Sequence, residues 1–286
     1  MGFAREKIDQ WFIDSFEPEL WDAIRTMDAG QNEYGYDPFG FHPEYLKYVG
    51  PTAQWLYNHY FRVETHDIQN VPDNGRVILI ANHSGQIAID GMILGSSLLF
   101  DHKPPRIVRS MVEHWIPTLP FISTFFARAG QVVGTRENAR LLLDRGGCLA
   151  AFPEGVRGIS KTFDRAYQLT DFGLGFMRLA LETNTPIVPV GIVGGEEQMP
   201  SVYNFEKAAE LLGLPAFPIT PAMLLLGPLG AMPMPVKYRL YFGEPMHFEG
   251  KFDDEDKVIR AKVDVVKDSI NGLISRGLDE REGVFF

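Results

Sequence analysis

A histidine and an aspartate stand seven positions apart, directly after an apolar run. His83 follows the segment RVILIA (residues 76–81), and Asp90 ends the segment NHSGQIAID. A carboxylate bonded to one imidazole nitrogen fixes the tautomer and leaves the other nitrogen to take a proton from a hydroxyl. The pair predicts general-base catalysis. For a histidine and an aspartate at a random spacing, the ordinary interpretation is a histidine satisfied in a turn.

This chemistry requires a bend in the chain between the two residues. Residues seven apart in an unbroken helix rise about 10.5 Å, too far for a direct hydrogen bond. We therefore expect a strand over residues 76–81, a turn at Ser84 and Gly85, and a buried helix from about residue 87 to 100. Asp90 in the first turns of that helix leans back toward His83. A helix N-terminus disfavours the imidazolium while Asp90 favours it, so the sequence leaves the net effect open.

A second group of charged residues lies on a glycine-rich turn. Glu154 and Arg157 alternate with Gly155 and Gly158 after the strand-like run from Cys148 to Phe152. Glycines let backbone amides approach an anion closely, and an arginine adds a fixed positive charge. Together, the two motifs predict an acyl-transfer site.

Four segments, in order, resemble the conserved blocks of the glycerolipid acyltransferase superfamily. The likeness is closest to the branch similar to mono- and diacylglycerol acyltransferases and covers most of residues 61–250. The segments are NHSGQIAIDG, GQVVGTRENA, FPEGVRGISK and PIVPVGIVGGEE.

The resemblance implies roles for individual residues. His83 matches the catalytic base and Asp90 its supporting aspartate. The residues that match the substrate-binding blocks are Gly134, Thr135, Arg136, Glu154, Gly155 and Arg157, and Pro189 matches a wall of the pocket. This chain departs from the family pattern in having six residues, instead of four, between His83 and Asp90. Val156 also stands where phosphate-recognising members carry a hydroxyl.

Positive charge gathers on two of these motif turns in an otherwise acidic protein. Arg136, Arg157 and Lys161 supply it, and the formal net charge of the chain is −10. We expect an anionic group of the acceptor or donor to be held there. Structural pairing with Glu154 or Glu137 is the alternative.

Composition sets further limits on function. Net charge argues against nucleic acid as a partner and against long-range attraction to an anionic membrane. The single cysteine, Cys148, cannot form an internal disulfide, so a reducing compartment is expected. Scattered histidines offer no zinc-ligand spacing, so no metal is expected. The start of the sequence has no apolar run of signal-peptide length, and secretion is not indicated.

Alternating strand and helix patterns predict an α/β fold with a single mixed sheet flanked by helices. Residues 1–60 are predicted to be an N-terminal helical appendage and residues 61–286 the acyltransferase domain. Further strands are expected over 107–111, 131–133, 148–152, 187–192 and 238–242. Helices are expected over 44–60, 137–145, 173–182, 205–212 and 255–275. The helix over 44–60 either packs on the catalytic core or lies in the bilayer interface.

An apolar segment, residues 211–236, contains no charge but six prolines. Prolines at this density argue against a straight spanning helix. The segment is predicted to be an apolar flap that dips into lipid or lines an acyl channel, with a buried loop as the alternative.

The resemblance implies an O-acyltransferase, which we expect to attach peripherally to the cytoplasmic face of a membrane. It moves a fatty acyl group from an acyl-CoA or acyl-ACP thioester to a hydroxyl of a glycerolipid-like acceptor, without any other cofactor. A thioesterase or lipid hydrolase with the same residues, or a non-catalytic lipid-binding protein, are the alternatives.

Overall fold

A seven-stranded mixed sheet forms the centre of the protein in the computed structural model, which describes residues 18–27, 30–85, 89–113, 118, 121–205 and 218–286. Its strand order is β1-β9-β6-β2-β5-β3-β4, and β7 and β8 form a separate ribbon. Neighbouring strands run parallel except β6 and β9. The strands are β1 Glu64–His66, β2 Val77–Ala81, β3 Val108–Val112, β4 Val132–Val133, β5 Cys148–Ala151, β6 Ile187–Val193, β7 Tyr203–Asn204, β8 Pro218–Ile219 and β9 Arg239–Phe242.

Helices cover both faces of the sheet. The α-helices are α1 Pro18–Thr26, α2 Leu46–Trp55, α3 Ile89–Phe100, α4 Ile122–Arg128, α5 Arg136–Asp144, α6 Val156–Ile159, α7 Gly175–Thr183, α8 Gly195–Gln198, α9 Pro221–Leu226 and α10 Asp256–Glu280. Short 3₁₀ turns cover Pro43–Tyr45, Ile68–Asn70, Phe163–Arg165 and Gly227–Ala231, and a π-helical turn covers Leu56–Tyr60. None of the helices within the described ranges is both long and apolar enough to cross a membrane.

The central strand β2 divides the apolar core into two layers. All five of its residues are buried, and successive side chains point to opposite faces. Val77, Leu79 and Ala81 pack with α3 on one face. Ile78 and Ile80 pack on the other face with α5, α7 and α10. This is the helix–sheet–helix arrangement that the sequence predicts.

The parallel strands place the sequence blocks together. β2 lies between β5 and β6 and runs parallel to both. The carboxyl ends of these three strands therefore meet at one edge of the sheet, which is where open α/β sheets bind ligands. The first and third blocks follow β2 and β5, and the fourth block contains β6 and the turn after it.

The described residues before position 61 pack against the domain formed by the central sheet. Leu20 and Ile24 of α1 cluster with Phe41, Leu46 and Leu99. The predicted helix over 44–60 is divided into a 3₁₀ turn, α2 and the π-helical turn. Of the two arrangements expected for this helix, the structure supports the packed one. Trp55 nevertheless remains 56% exposed.

Most of the predicted elements are confirmed to within a few residues. The predicted helix 255–275 is longer, extending to Glu280. The short strand β1 and the helix α4 are absent from the sequence prediction. The predicted helix 205–212 lies outside the described residues apart from Phe205, which is not helical.

The described part of the apolar flap contradicts the buried-loop alternative. It contains β8, α9 and a 3₁₀ turn, and Leu224, Leu225 and Leu226 are 74%, 84% and 63% exposed. Residues 211–217 of the flap lie outside the described residues.

Candidate active site

His83 and Asp90 form a direct pair despite the six residues between them. The distance from His83 Nδ1 to Asp90 Oδ2 is 2.7 Å, and the side chains are 12% and 0% exposed. Phe152 stacks on the imidazole with the ring centroids 4.5 Å apart. The imidazole is therefore held on two sides, with its Nε2 edge available for chemistry.

Local backbone contacts fix the position of the Asp90 carboxylate. Asp90 lies in the first turn of α3. Its Oδ2 also accepts from the backbone N–H of Ser84 at 3.0 Å, and its Oδ1 accepts from that of Gly91 at 2.8 Å. Gly85 adopts a φ of +83°, and a Cβ atom there would lie 2.0 Å from Gln198 Nε2. Only glycine fits this turn, which brings the histidine back toward the helix.

Glu154 supports His83 from beneath. Its Oε1 accepts from the backbone N–H of His83 at 2.9 Å, and its Oε2 accepts from that of Thr170 at 2.8 Å. The residue is only 2% exposed. The expected substrate-binding residue of the third block is thus buried against the main chain of the first block, and its geometry favours a positioning role.

Lys161 joins a buried ionic cluster and does not line the apolar cavity that contains His83, although it is one of the residues around the polar cavity beside Arg157. Its Nζ lies 2.9 Å from Glu196 and 3.7 Å from Glu154, and its side chain is 4% exposed. Burial raises the pKa of Glu196, although the Lys161 charge acts in the opposite direction. The lysine therefore compensates carboxylates below the site. This arrangement too favours positioning over direct contact with substrate.

The fourth block contributes polar residues that sequence reasoning missed. Gln198 donates to Gly85 O at 3.0 Å and accepts from Tyr238 at 2.8 Å. Glu197 is bound by Tyr167 and Arg281. The signal was present in the charged GGEEQ segment after a buried strand. Its partners, however, lie far away in the sequence.

Three neighbours set the protonation of His83. Burial and the Lys161 charge lower the pKa of His83, but the Asp90 charge and hydrogen bond, together with the Glu154 charge, raise it, and the net direction is upward. Asp90 and Glu154 therefore favour the imidazolium, which is the direction that the sequence assigns to Asp90. A raised pKa makes the neutral histidine a stronger base.

A large apolar cavity opens beside His83. Its volume is about 680 Å³, within the range of about 300–1,000 Å³ typical of small-molecule sites. The residues that line it belong to α2, α3, β3, α4 and α6; among them are Val49, Gly95, Leu99, Phe125 and Val156. A Cβ atom at Gly95 would meet nothing within 4 Å. The glycine therefore leaves open space on the face of α3 that borders the cavity.

The second block lies apart from His83. Gly134 N donates to Val112 O at 2.9 Å, and the Thr135 hydroxyl caps α5 by accepting from Asn138 N at 3.1 Å. Arg136 pairs with Glu182 at 2.8 Å and is half exposed. Arg136 uses neither of the predicted pairing partners, Glu154 or Glu137, whereas Lys161 does lie 3.7 Å from Glu154. None of the three residues lines the cavity that contains His83.

Arg157 and Gly155 lie on the turn that leads into α6. Gly155 has a φ of +57°, and its N–H donates to Phe152 O at 2.9 Å. Arg157 donates to Asp171 O at 2.8 Å and lines a second, polar cavity of about 450 Å³. Arg165 and Thr170 also line it. Two guanidinium groups therefore border a polar space on the opposite side of α6 from Val156.

Metal ligation finds no support in the ranges that the structure describes. No group of three or more His, Cys, Asp or Glu side chains there is placed to hold a metal ion.

Comparisons with known proteins identify the family of this chain. The sequence model of the family described as Acyltransferase matches residues 62–193. An uncharacterized protein of Mycobacterium tuberculosis is 36% identical over 259 residues, which is 89% of this chain and 72% of that protein. A protein of Bos taurus named "DGAT1/2-independent enzyme synthesizing storage lipids" is 26% identical over 92% of this chain and 68% of that protein.

A solved structure shares the fold. The crystal structure of the 1-acyl-sn-glycerophosphate acyltransferase from Thermotoga maritima matches with a TM-score of 0.53 and 17% identity, covering 84% of this chain and 82% of that chain. The chain belongs to the acyltransferase family, and the protein is an acyltransferase. The fold and the family that the sequence predicts are confirmed.

Proposed function

We propose that this acyltransferase moves a fatty acyl group from a thioester of coenzyme A or acyl carrier protein to a hydroxyl of a glycerolipid-like acceptor. One observation carries the proposal. The His83–Asp90 pair, with its 2.7 Å contact, borders an apolar cavity large enough for a lipid chain. A base next to an acyl-chain site is what transfer from a thioester to an alcohol requires.

In the proposed mechanism, His83 acts as general base. Asp90 accepts from Nδ1–H, which leaves the Nε2 lone pair for the acceptor hydroxyl. As Nε2 takes the proton, the alkoxide oxygen attacks the thioester carbonyl and forms a tetrahedral intermediate. The C–S bond then breaks, the thiolate leaves with the electron pair, and the imidazolium proton passes to it. The products are the ester and the free thiol.

Backbone amides at the start of α6 are candidates for stabilising the oxyanion. The N–H of Gly155 already donates to Phe152 O. The next residue, Val156, lines the cavity with His83, so the amides that follow Gly155 are better placed for this role.

Arg157 is our candidate for the polar part of a substrate. It lines the second cavity together with Arg165 and Lys161. An anionic group of the acceptor or the donor fits the two guanidinium charges. Arg136 is a weaker candidate because Glu182 already pairs with it.

The acceptor is either a neutral lipid or a phosphorylated one. The Bos taurus relative is named for storage-lipid synthesis, and a Mycoplasma pneumoniae relative, 26% identical over 65% of this chain, is named as a probable 1-acyl-sn-glycerol-3-phosphate acyltransferase. Neutral and phosphorylated acceptors both belong in the test.

Membrane attachment is proposed to occur at the cytoplasmic face through the apolar flap. Leu224, Leu225 and Leu226 expose most of their surface, and α9 carries no charged residue. Because the formal net charge is −10, attraction to anionic lipid is not the expected driving force.

A thiol-release assay tests the proposal. Purified protein is given oleoyl-CoA with monoacylglycerol, diacylglycerol or lysophosphatidate, or with no acceptor, and products are identified by mass. Acceptor-dependent release that His83→Ala abolishes, and that the exposed-histidine control His247→Ala retains, supports the proposal. Equal release without acceptor identifies a hydrolase, and no release with any acceptor identifies a binding protein.

A further inference from the structure

Helix α4 exposes apolar side chains at the surface. Phe121, which immediately precedes the helix, is 90% exposed, and Ile122 and Phe125 are 42% and 44% exposed. Exposed apolar groups that cluster in this way mark binding surfaces more often than chance. The question is what covers them.

The apolar residues of α4 share one face. Ile122, Phe125, Phe126 and the residue that caps the helix, Ala129, follow the i, i+3, i+4 and i+7 spacing of one helical stripe, and Phe121 immediately precedes it. Phe121 has a φ of +65°, a conformation that phenylalanine rarely adopts. The backbone therefore adopts an uncommon conformation at Phe121, whose ring is the most exposed of these apolar side chains.

The surface stripe is continuous with the cavity. Phe125 is both exposed and a wall of the 680 Å³ cavity that contains His83, and the half-buried Phe126 and Ala129 line the same cavity. The apolar surface on the outside of α4 therefore leads into the apolar cavity that contains His83.

The charges around the stripe fit a lipid. Arg128 is the only charged residue between Phe121 and Thr135. Its guanidinium lies 5.8 Å from the centre of the Tyr45 ring, and Tyr45 in turn packs edge-on against Phe125 at 6.3 Å. A cation beside aromatic rings at the margin of an apolar stripe matches the boundary between lipid headgroups and acyl chains.

We propose that α4 docks on the hydrocarbon surface of a phospholipid bilayer, and that acyl chains enter the cavity from the bilayer beside Phe125. This inference rests on the proposed acyl transfer, because it gives the cavity an acyl occupant. It adds a contact surface that is separate in sequence from the apolar flap.

The first test measures binding to dioleoylphosphatidylcholine vesicles, which carry no net charge. The variant combines Phe121→Gly with Ile122→Ser. Glycine adopts the φ of +65° without penalty, and neither residue lines the cavity, so the fold should be retained. The control combines Val258→Ser with Val265→Ser, which removes two apolar side chains that are 44% and 51% exposed on α10. We expect at least a tenfold weaker partition for the α4 variant and no change for the control.

The second test reports the position of α4 directly. Cys148, the single cysteine of the chain, is buried, so a nitrobenzoxadiazole dye attaches selectively to Phe121→Cys or, as the control, to Val265→Cys. We expect vesicles to increase and blue-shift the emission at position 121 only, and brominated acyl chains to quench it.

Unchanged emission at position 121 while the protein binds vesicles overturns the proposal, as does equal partition of the two double variants. Loss of a dimer in the α4 variant, with vesicle binding intact, assigns the surface to a second copy and also overturns it. None of these measurements depends on turnover. If α4 inserts into vesicles but no acceptor is acylated, the proposed acyl transfer is wrong, whereas the docking of α4 on the bilayer is supported.

Discussion

The carboxylate of Glu154 accepts a hydrogen bond from the backbone N–H of His83 at 2.9 Å. The third block thereby holds the main chain of the first block, across 71 positions of sequence. Because the second Glu154 oxygen binds the N–H of Thr170, the carboxylate also fixes the loop that follows α6. Glu154 thus fixes the position of His83 without lining the cavity.

Replacement of this carboxylate should damage turnover more than substrate binding. In Glu154→Gln, one side-chain oxygen is replaced by an NH₂ group that faces a backbone N–H and cannot accept from it. A displaced base can cost about 10²-fold in rate, so we expect a fall of this order in kcat with little change in KM for the donor. Steady-state kinetics checks this, with Glu182→Gln as a carboxylate control at the Arg136 pair. A rise in KM with unchanged kcat would instead place Glu154 in contact with substrate.

Asp90→Asn should be severe because the amide offers the wrong hydrogen-bond partner. When its NH₂ group faces Nδ1, the imidazole proton moves to Nε2 and the base is lost. We expect activity to fall by about 10²–10⁴-fold with the fold retained, as followed by thiol release and circular dichroism. The control is Asp73→Asn, because Asp73 is an exposed carboxylate 3.9 Å from His102. Near-normal activity of Asp90→Asn means that another group orients His83.

The sequence was sufficient to predict the strands around this site and the contact between His83 and Asp90, because these features depend on residues close together in the chain. Buried runs such as Val77–Ala81 predict strands, and the tilt of helical side chains correctly predicts the contact between His83 and Asp90. The pairing of Lys161 with Glu196 could not be predicted in this way, because it joins loops 35 positions apart. The helix α4 was missed because seven residues, three of them serine, threonine and arginine, give too short a pattern.

Activity and His83-linked stability should respond to pH in opposite directions. The pKa of His83 is raised above 6.5, mainly because the Asp90 and Glu154 charges outweigh burial. Since the base must be neutral, the acidic limb of the rate profile should lie above pH 6.5. A group whose pKa is raised by folding stabilises fully below its unfolded pKa, and that contribution is lost as pH rises through the folded value.

The difference in melting temperature between the wild type and His83→Gln should therefore be largest below pH 6.5 and shrink over the window in which activity rises. Differential scanning calorimetry and rate profiles at matched pH values check this. Glu154→Gln, which lacks one of the raising charges, should move the acidic limb to lower pH. A limb below pH 6.5 in the wild type would contradict the assignment.

Simultaneous replacement of Leu224, Leu225 and Leu226 by serine should release the protein from vesicles. Burial of each large apolar side chain in lipid stabilises by about 1.5–3 kcal/mol, so the loss of all three should weaken partition far more than tenfold. The melting temperature should not fall, because the leucines are 63–84% exposed. Raised salt should change little in either protein. Normal vesicle binding combined with a lower melting temperature would assign the leucines to the core.

Enlargement of Gly95 should shorten the acyl chain that the enzyme accepts. Gly95 lies on the cavity face of α3, where an added Cβ meets open space, so Gly95→Leu should fill the cavity without clashing with the backbone. Gly272 is the matched control, because it lies inside α10, and a Cβ there also meets nothing within 4 Å. Both substitutions remove a mid-helix glycine and should each stabilise the fold by up to about 1 kcal/mol. Competition between octanoyl-, palmitoyl- and oleoyl-CoA, read by product mass, should shift toward octanoyl in Gly95→Leu alone. An unchanged product distribution in Gly95→Leu would place the acyl chain outside this cavity.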